Sequence, residues 1–315
     1  MRIFLQLTIL ALFTQIAYGQ NRIVSDLNVV GNYYEERTLT INVSVSGQDI
    51  YSVIKILPPH YSIPKADILE NGNLILAHSL EGIVEIYNKT GNIIFRDEYY
   101  KLPPYRGQKL KYEVWSEGFI IVVSEEGTNT LHNLNNDGDI LLDKDLEQGM
   151  ISGIKLSPNG DLFVYSVVDW IQNELYTTTN ILSLNGNYFQ SILKNFENGV
   201  FSTNSNLFVG WENRNIFCVD LLNRRIIWER SLENNQLISD AIIEGSDTYI
   251  LFSSNPLFIE KEWQYDNIRI ISKNLSGDEK HLFQFPLIAN TIKFNTEGEE
   301  PILVVDGKEF KFNED

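Results

Sequence analysis

Six short apolar runs return along this chain at a spacing near forty-five residues. They are Leu74-Ile75-Leu76-Ala77, Phe119-Ile120-Ile121-Val122-Val123, Leu162-Phe163-Val164-Tyr165, Leu207-Phe208-Val209, Tyr249-Ile250-Leu251-Phe252 and Ile302-Leu303-Val304-Val305. Their starts lie 45, 43, 45, 42 and 53 residues apart. A period of this size marks one supersecondary unit copied many times, each copy burying apolar surface against the next. The runs are too short for helices and are flanked by Gly, Asn and Asp, so they read as strands. A strand that is apolar on both faces must be covered on both, as in sheets stacked face to face.

The segments around each run supply the rest of a four-stranded unit. In the first, Ala66-Asp67-Ile68-Leu69 leads through Asn71-Gly72 into the apolar run. Glu81-Gly82 turns into Ile83-Val84-Glu85-Ile86-Tyr87, and Lys89-Thr90-Gly91 turns into Asn92-Ile93-Ile94-Phe95. The second unit turns at Gly118, Gly127 and Asn136-Asp137-Gly138, the third at Pro158-Asn159-Gly160 and Asn185-Gly186. Asn-Gly and Asp-Gly supply the positive φ of tight hairpins. The period and the strand count predict an all-β chain, a β-propeller of six blades with four antiparallel strands each. Too few residues follow Ile302 to complete a blade, so the missing strand is expected from residues 50–56 near the N-terminus. Both chain ends would then share one blade and close the ring, leaving no open edge. The alternative is seven blades, with residues 22–57 as the additional one. That segment has no long apolar second strand, Val29-Val30 being the best it offers. A β-sandwich gives no reason for a repeat of this length.

Three stretches carry a resemblance. Phe217-Cys218-Val219-Asp220, followed by Arg224 and Ile226-Ile227-Trp228, resembles the quinoprotein-type repeat, in which an Asp precedes a Thr-Gly turn and a Trp closes the blade. Asn223-Arg224 stands here for Thr-Gly. Thr90-Gly91 with Phe95 is a second match, and Ser157-Pro158-Asn159-Gly160 is similar to the Ser-Pro-Asp-Gly turn of periplasmic WD40-like blades. The chain thus resembles the WD40-like and quinoprotein (PQQ)-like β-propeller superfamily. That resemblance implies the fold, and it implies that scaffold roles are common among the exported members, including outer-membrane assembly factors. Quinoprotein dehydrogenases use a capping cysteine pair, and a chain whose one cysteine is Cys218 cannot form it.

Residues 1–19 read as a secretory signal peptide: Arg2, an apolar run from Ile3 to Phe13, and small residues in Ala17-Tyr18-Gly19. The run is short for a bilayer span and is interrupted by Gln6, Thr8, Thr14 and Gln15. No cysteine follows for lipid attachment. The expectation is a secreted or periplasmic protein, with residues 20–315 forming a single propeller domain and no integral membrane segment in the mature chain. With one cysteine there is no internal disulfide, which favours a bacterial envelope over a eukaryotic secretory origin. The triplets at Asn42, Asn88 and Asn274 fit the glycosylation pattern, but such triplets are frequent by chance in an Asn-rich chain.

With 25 basic and 42 acidic side chains the formal net charge is −17, and such a surface repels nucleic acid. No catalytic constellation emerges. His60, His78, His132 and His281 fall in four different units without metal-ligand spacing, and Cys218 sits in an apolar strand as a core thiol. Asn133-x-Asn135-x-Asp137-Gly138 copies half of a calcium loop, but Lys144 stands where its terminal acid belongs, so it reads as a hairpin. No catalytic residue, cofactor or metal ligand is assigned.

Loop length is the remaining guide to a ligand. In a propeller, the loops between second and third strands share one face with the blade-to-blade connections. Long insertions fall there: 169–176 in the third unit, 255–266 in the fifth, and 99–106 and 57–61 as connections. That face is expected to gather Tyr100, Tyr105, Trp170, Glu174, Tyr176, Trp263, Tyr265 and Asp266. Flat rings beside carboxylates suit a protein, peptide or glycan partner, because rings stack on apolar faces and carboxylates accept hydrogen bonds. The reading is a non-catalytic binding or scaffold module. The alternative is a propeller hydrolase or lyase acting on a sugar or lactone through paired acidic residues, with or without a divalent metal.

Overall fold

The computed structural model describes residues 22–45, 48–100, 109–125, 127–171, 174–184, 188–254, 257–259, 262–285, 288–295 and 302–311. Residues 1–19, read above as a signal peptide, lie outside them. The chain divides into two compact units, residues 1–151 with 184–187, and residues 152–183 with 188–315. Among the described residues no helix is long and apolar enough to cross a membrane.

The first unit holds three antiparallel sheets. Sheet one is β1 (Arg22–Val30), β2 (Arg37–Val45) and β3 (Gln48–Leu57). Sheet two is β4 (Lys65–Ile68), β5 (Leu74–His78), β6 (Ile83–Tyr87) and β7 (Ile93–Glu98). Sheet three is β8 (Lys109–Trp115), β9 (Gly118–Glu125), β10 (Thr128–Asn135) and β11 (Ile140–Leu146). Strand β12 (Met150–Leu156) begins at the boundary and opens sheet four, with β13 (Leu162–Ile171), β14 (Glu174–Ser183) and β15 (Tyr188–Ile192). Sheet five is β16 (Asn198–Phe201), β17 (Leu207–Glu212), β18 (Asn215–Asp220) and β19 (Arg225–Ser231). Sheet six contains β20 (Gln236–Glu244) and β21 (Asp247–Ser254). After a two-stranded ribbon, β22 (Leu257–Ile259) with β23 (Glu262–Gln264), it resumes with β24 (Ile268–Lys273) and β25 (Glu279–Phe285). Sheet seven is β26 (Ile292–Asn295), β27 (Ile302–Val305) and β28 (Lys308–Phe310).

All six apolar runs are second strands of sheets, and their burial shows why they are apolar throughout. Every residue of β5 is buried. Leu74 and Leu76 pack on Leu39, Ile41 and Val43 of sheet one, whereas Ile75 and Ala77 pack on Phe119 and Ile121 of sheet three. Strand alternation sends successive side chains to opposite neighbours, so both parities must be apolar. Stacking repeats in the second unit. Val164 and Ile181 meet Phe208 and Phe217, Val209 and Cys218 meet Ile250 and Phe252, and Leu251 and Ile270 meet Phe294 and Leu303. Each such side chain contributes about 1.5–3 kcal/mol of transfer free energy.

The expectation of six blades is corrected: seven sheets of three or four strands point to seven. Residues 22–57 form a sheet of their own. The segment expected to complete the last blade, residues 50–56, lies in β3 and pairs instead with β2, Ile54 opposite Thr40 and Val53 opposite Ile41. Sheet seven has three described strands, and among the described residues none from the N-terminal segment pairs with it. The reason lies in β2, where Leu39, Ile41 and Val43 are fully buried while Thr38, Thr40 and Asn42 are half-buried. One face is covered by apolar neighbours and the other only partly, so the strand alternates and never becomes an apolar run.

Turn chemistry repeats with the sheets. Asn88, Asn135 and Asn274 each end a third strand. Each turns its Oδ1 back onto two main-chain amides, two and four residues on, at 2.9–3.0 Å. This is the Asx turn, and at Asn135 it accounts for the half calcium loop as a hairpin. Gly138 closes that turn at φ 94°, and a Cβ there would lie 2.3 Å from the ring of Phe95. Both the backbone and the packing require glycine.

Sheets one and two are also joined by buried charge. Lys55 of β3 pairs with Glu85 of β6, which also accepts from Tyr87 Oη at 2.9 Å and lies 3.4 Å from Arg96. Burial alone would raise the Glu85 carboxyl, but the hydrogen bond and charge of Lys55 outweigh it and hold the group below the ordinary range. His78 lies beside this pair, fully buried.

Candidate functional site

The insertion at residues 169–176 is no loop. It prolongs β13 and β14 into one continuous hairpin without a register shift, Asp169 opposite Tyr176, Trp170 opposite Leu175 and Ile171 opposite Glu174. Strand parity assigns its two faces. Ser166 and Thr179 are paired, and both hydroxyls are buried. Ser166 donates to Asn195 Oδ1, and Thr179 donates to the Lys194 carbonyl at 2.8 Å. Two residues outward come Val168 and Thr177, and two further come Trp170 and Leu175. These belong to the face that looks toward the connection 193–195. Glu174 and Tyr176 fall on the other, where Tyr176 Oη donates to Glu174 Oε2 at 3.2 Å.

At the root of this hairpin lies a cavity of about 530 Å³. Thr177 of β14 and Leu193-Lys194-Asn195 form one wall. Glu212, Asn215, Ile216 and Phe217, from the β17–β18 turn and β18, form another, and Glu229-Arg230-Ser231 at the end of β19 complete it. It therefore sits where second strands turn into third strands and where one sheet connects to the next. Leu193, at the cavity wall, is 78% exposed, and Trp170, 69% exposed, lies two strand pairs further out along the hairpin than the lining residue Thr177.

The polar lining is internally matched. Lys194 pairs with Glu229, and Arg230 pairs with Glu279 of β25. Asn195 accepts from the Ser152 hydroxyl at 2.5 Å and donates to Glu212 Oε2 at 2.7 Å. Asn215 Oδ1 accepts from Ser231 Oγ at 2.7 Å. Asn195 thus has donor and acceptor sides both spent, and it holds the connection rigidly against sheets four and five.

The other residues expected at the loops take different local settings. Trp170 lies on the side of the hairpin that carries the lining residue Thr177, and Glu174 and Tyr176 lie on the other side. Tyr265 is half-buried, bridges Ala289 through its main chain at 2.7 and 2.9 Å, and packs with Phe285 and Phe294; Asp266 is exposed. Trp263 lies in β23, opposite Phe258. Tyr105 lies outside the described residues. Tyr100 belongs to the first unit and is 7% exposed, its ring against Gly82 and its hydroxyl 3.4 Å from the Ser79 carbonyl. It caps its own sheet. Cys218 is buried, and burial pushes its thiol up to about 12. His132 Nδ1 lies 2.7 Å from Asp143, and His281 is an exposed strand residue. Among the described residues no group of three or more His, Cys, Asp or Glu could hold a metal ion.

The cavity residues Leu193, Lys194, Asn195, Glu212 and Glu229 were not legible in the sequence. They come from three places distant in sequence, the connection after β15, the end of β17 and the end of β19. Their one local signal was Leu193, a large apolar residue left in a polar connection.

No family model matches the chain, and no curated protein does. Solved structures do. KlHsv2 with loop 6CD replaced by a Gly-Ser linker is 12% identical over 89% of this chain and 88% of its own, with a TM-score of 0.55. The Dos1 propeller is 11% identical over 90% and 76%, TM-score 0.58. A chain of a mitotic checkpoint complex is 11% identical over 99% and 98%, TM-score 0.56. These are propellers of the WD40/Kelch type. At such identity the likeness is one of fold, and it places this chain in the β-propeller class without assigning an activity.

Proposed function

We propose that the chain is an exported, non-enzymatic β-propeller that binds a protein, peptide or glycan partner at the β13–β14 hairpin and the cavity at its root. One observation carries the reading: Trp170 is 69% exposed on the side of the β13–β14 hairpin that carries the lining residue Thr177. Large exposed rings beside matched polar groups are the composition of recognition sites. The mitotic checkpoint complex chain shares the fold and works within an assembly by its printed name, in keeping with a scaffold role. Export rests on residues 1–19, and the acidic balance argues against nucleic acid.

The test is a pull-down of the mature chain from its native envelope or medium, beside a Trp170→Ala variant. Trp170 is exposed, so the variant is expected to keep the wild-type Tm while partner recovery falls about tenfold or more. Equal recovery by both proteins would refute the site.

A further inference from the structure

We infer that the cavity takes a neutral carbohydrate, a reading that rests on the binding site proposed above and narrows its partner. The lining holds as many cations as anions, Lys194 and Arg230 against Glu212 and Glu229, with Lys194 paired to Glu229. A charged ligand therefore meets no excess of opposite charge there: an anion faces Glu212 and Glu229, and a cation faces Lys194 and Arg230. A hydroxyl is different. It donates to a carboxylate oxygen and accepts from an ammonium or amide at once, so a polyol adds to both members of a pair without parting them. Glu212, Glu229 and Lys194 present such acceptors and donors within one cavity.

The apolar side of the recess fits the same ligand. Trp170 and Leu175 are cross-strand partners two pairs outward of the lining residue Thr177 on the same side of the hairpin, and Leu193 stands at the cavity wall. A pyranose ring carries hydroxyls at its rim and C–H groups on its faces, so it lays a face on an indole while its rim reaches polar groups below. A volume of about 530 Å³ falls within the range of small-ligand sites and accommodates the end of a chain of sugars, not a folded surface.

The experiment titrates a panel of neutral hexasaccharides (cello-, malto-, xylo-, laminari- and N-acetylchito-oligomers) into the full mature chain by calorimetry, at low and at high salt. At least one member is expected to bind saturably, with an affinity that salt does not move, because no net charge is exchanged. Trp170→Ala is expected to weaken that binding about tenfold through loss of ring stacking. Leu222→Ser, which removes an exposed apolar residue at the far end of β18, should leave it unchanged. Failure of every oligosaccharide to bind at millimolar concentration would overturn the carbohydrate assignment, as would binding indifferent to Trp170→Ala. If the panel fails while Trp170→Ala still abolishes capture of a protein or peptide partner, the binding module stands and only its ligand class is wrong. If Trp170→Ala changes neither, both readings fall.

Discussion

At the scale of single residues, the sequence repeat is a repeat of turn chemistry, and its departures mark where the backbone is held out of its preferred range. Ser157-Pro158-Asn159-Gly160 and Ser202-Thr203-Asn204-Ser205 build the same turn. In each the serine Oγ accepts from the leucine amide five residues on at 2.9 Å. Gly160 has φ 71°, and Ser205 takes the same place at φ 58°. Its hydroxyl then donates to Asn159 Oδ1 at 3.0 Å, tying the two turns together. Arg224 is the parallel case in the quinoprotein-like stretch. Asp220 accepts from the Asn223 amide at 2.9 Å, and Arg224 adopts φ 54° where the resembling motif has glycine. A left-handed non-glycine residue costs about 1–2 kcal/mol, partly offset by the greater unfolded-state freedom of glycine. Arg224→Gly should therefore stabilise the chain by up to about 1 kcal/mol, read from the midpoint of urea unfolding at unchanged slope. A lower midpoint would show that the arginine side chain, not its backbone, governs the site.

At the scale of elements, sheet one is held to sheet two by an apolar face and by one buried ion pair. Replacing Lys55 by Met leaves Glu85 buried with Arg96, itself half-exposed, as its remaining cation. The single variant is expected to lose about 3–5 kcal/mol, and Lys55→Met with Glu85→Leu to recover most of it, since no uncompensated charge then remains. A double-mutant cycle by denaturant unfolding measures the coupling. Equal losses in the single and double variants would show that the pair contributes through packing alone. The same sheet explains the misjudged blade count. Apolar runs identify strands covered on both faces, and β2 is fully covered on one face only. Its alternation of Leu39, Ile41 and Val43 with Thr38, Thr40 and Asn42 was legible, but as a half-exposed strand and not as the centre of a blade.

At the scale of the whole molecule, two buried groups respond to pH in opposite senses. Burial, assisted by the Lys55 charge, lowers His78 to about 4. Its folded pKa lies below the unfolded value, so its contribution is intact above about pH 6.5 and is lost as pH falls toward 4. Asp240 in β20 is raised to about 6 by burial, which outweighs the amides of Phe294 and Ala241 that it accepts from. Its folded pKa lies above the unfolded value, so its contribution is present below about pH 4 and is lost as pH rises through 6. Relative to wild type, Asp240→Asn should gain about 3 kcal/mol on going from pH 3.5 to 7, measured by unfolding at each pH. His78→Gln should gain about as much over wild type on going from pH 7 to 4. A flat difference for either variant would mean that its group does not titrate in the folded state over that range.

The repeat by itself determined the strand-rich class, the second strand of six sheets and the turn residues, because each depends on burial period or turn chemistry within a dozen residues. The tertiary structure decided the rest. That residues 22–57 form a sheet of their own depends on whether β3 pairs with β2 or with a strand at the other end of the chain, a choice local pattern does not encode. That Trp170 falls on the hairpin side of the lining residue Thr177 while Tyr176 falls on the other depends on strand parity, and that Leu193, Glu212 and Glu229 share one cavity depends on the meeting of strand ends distant in sequence. An aromatic residue in an insertion has the same sequence signature whether it caps its own sheet or faces a ligand, and only the packing around it separates the two.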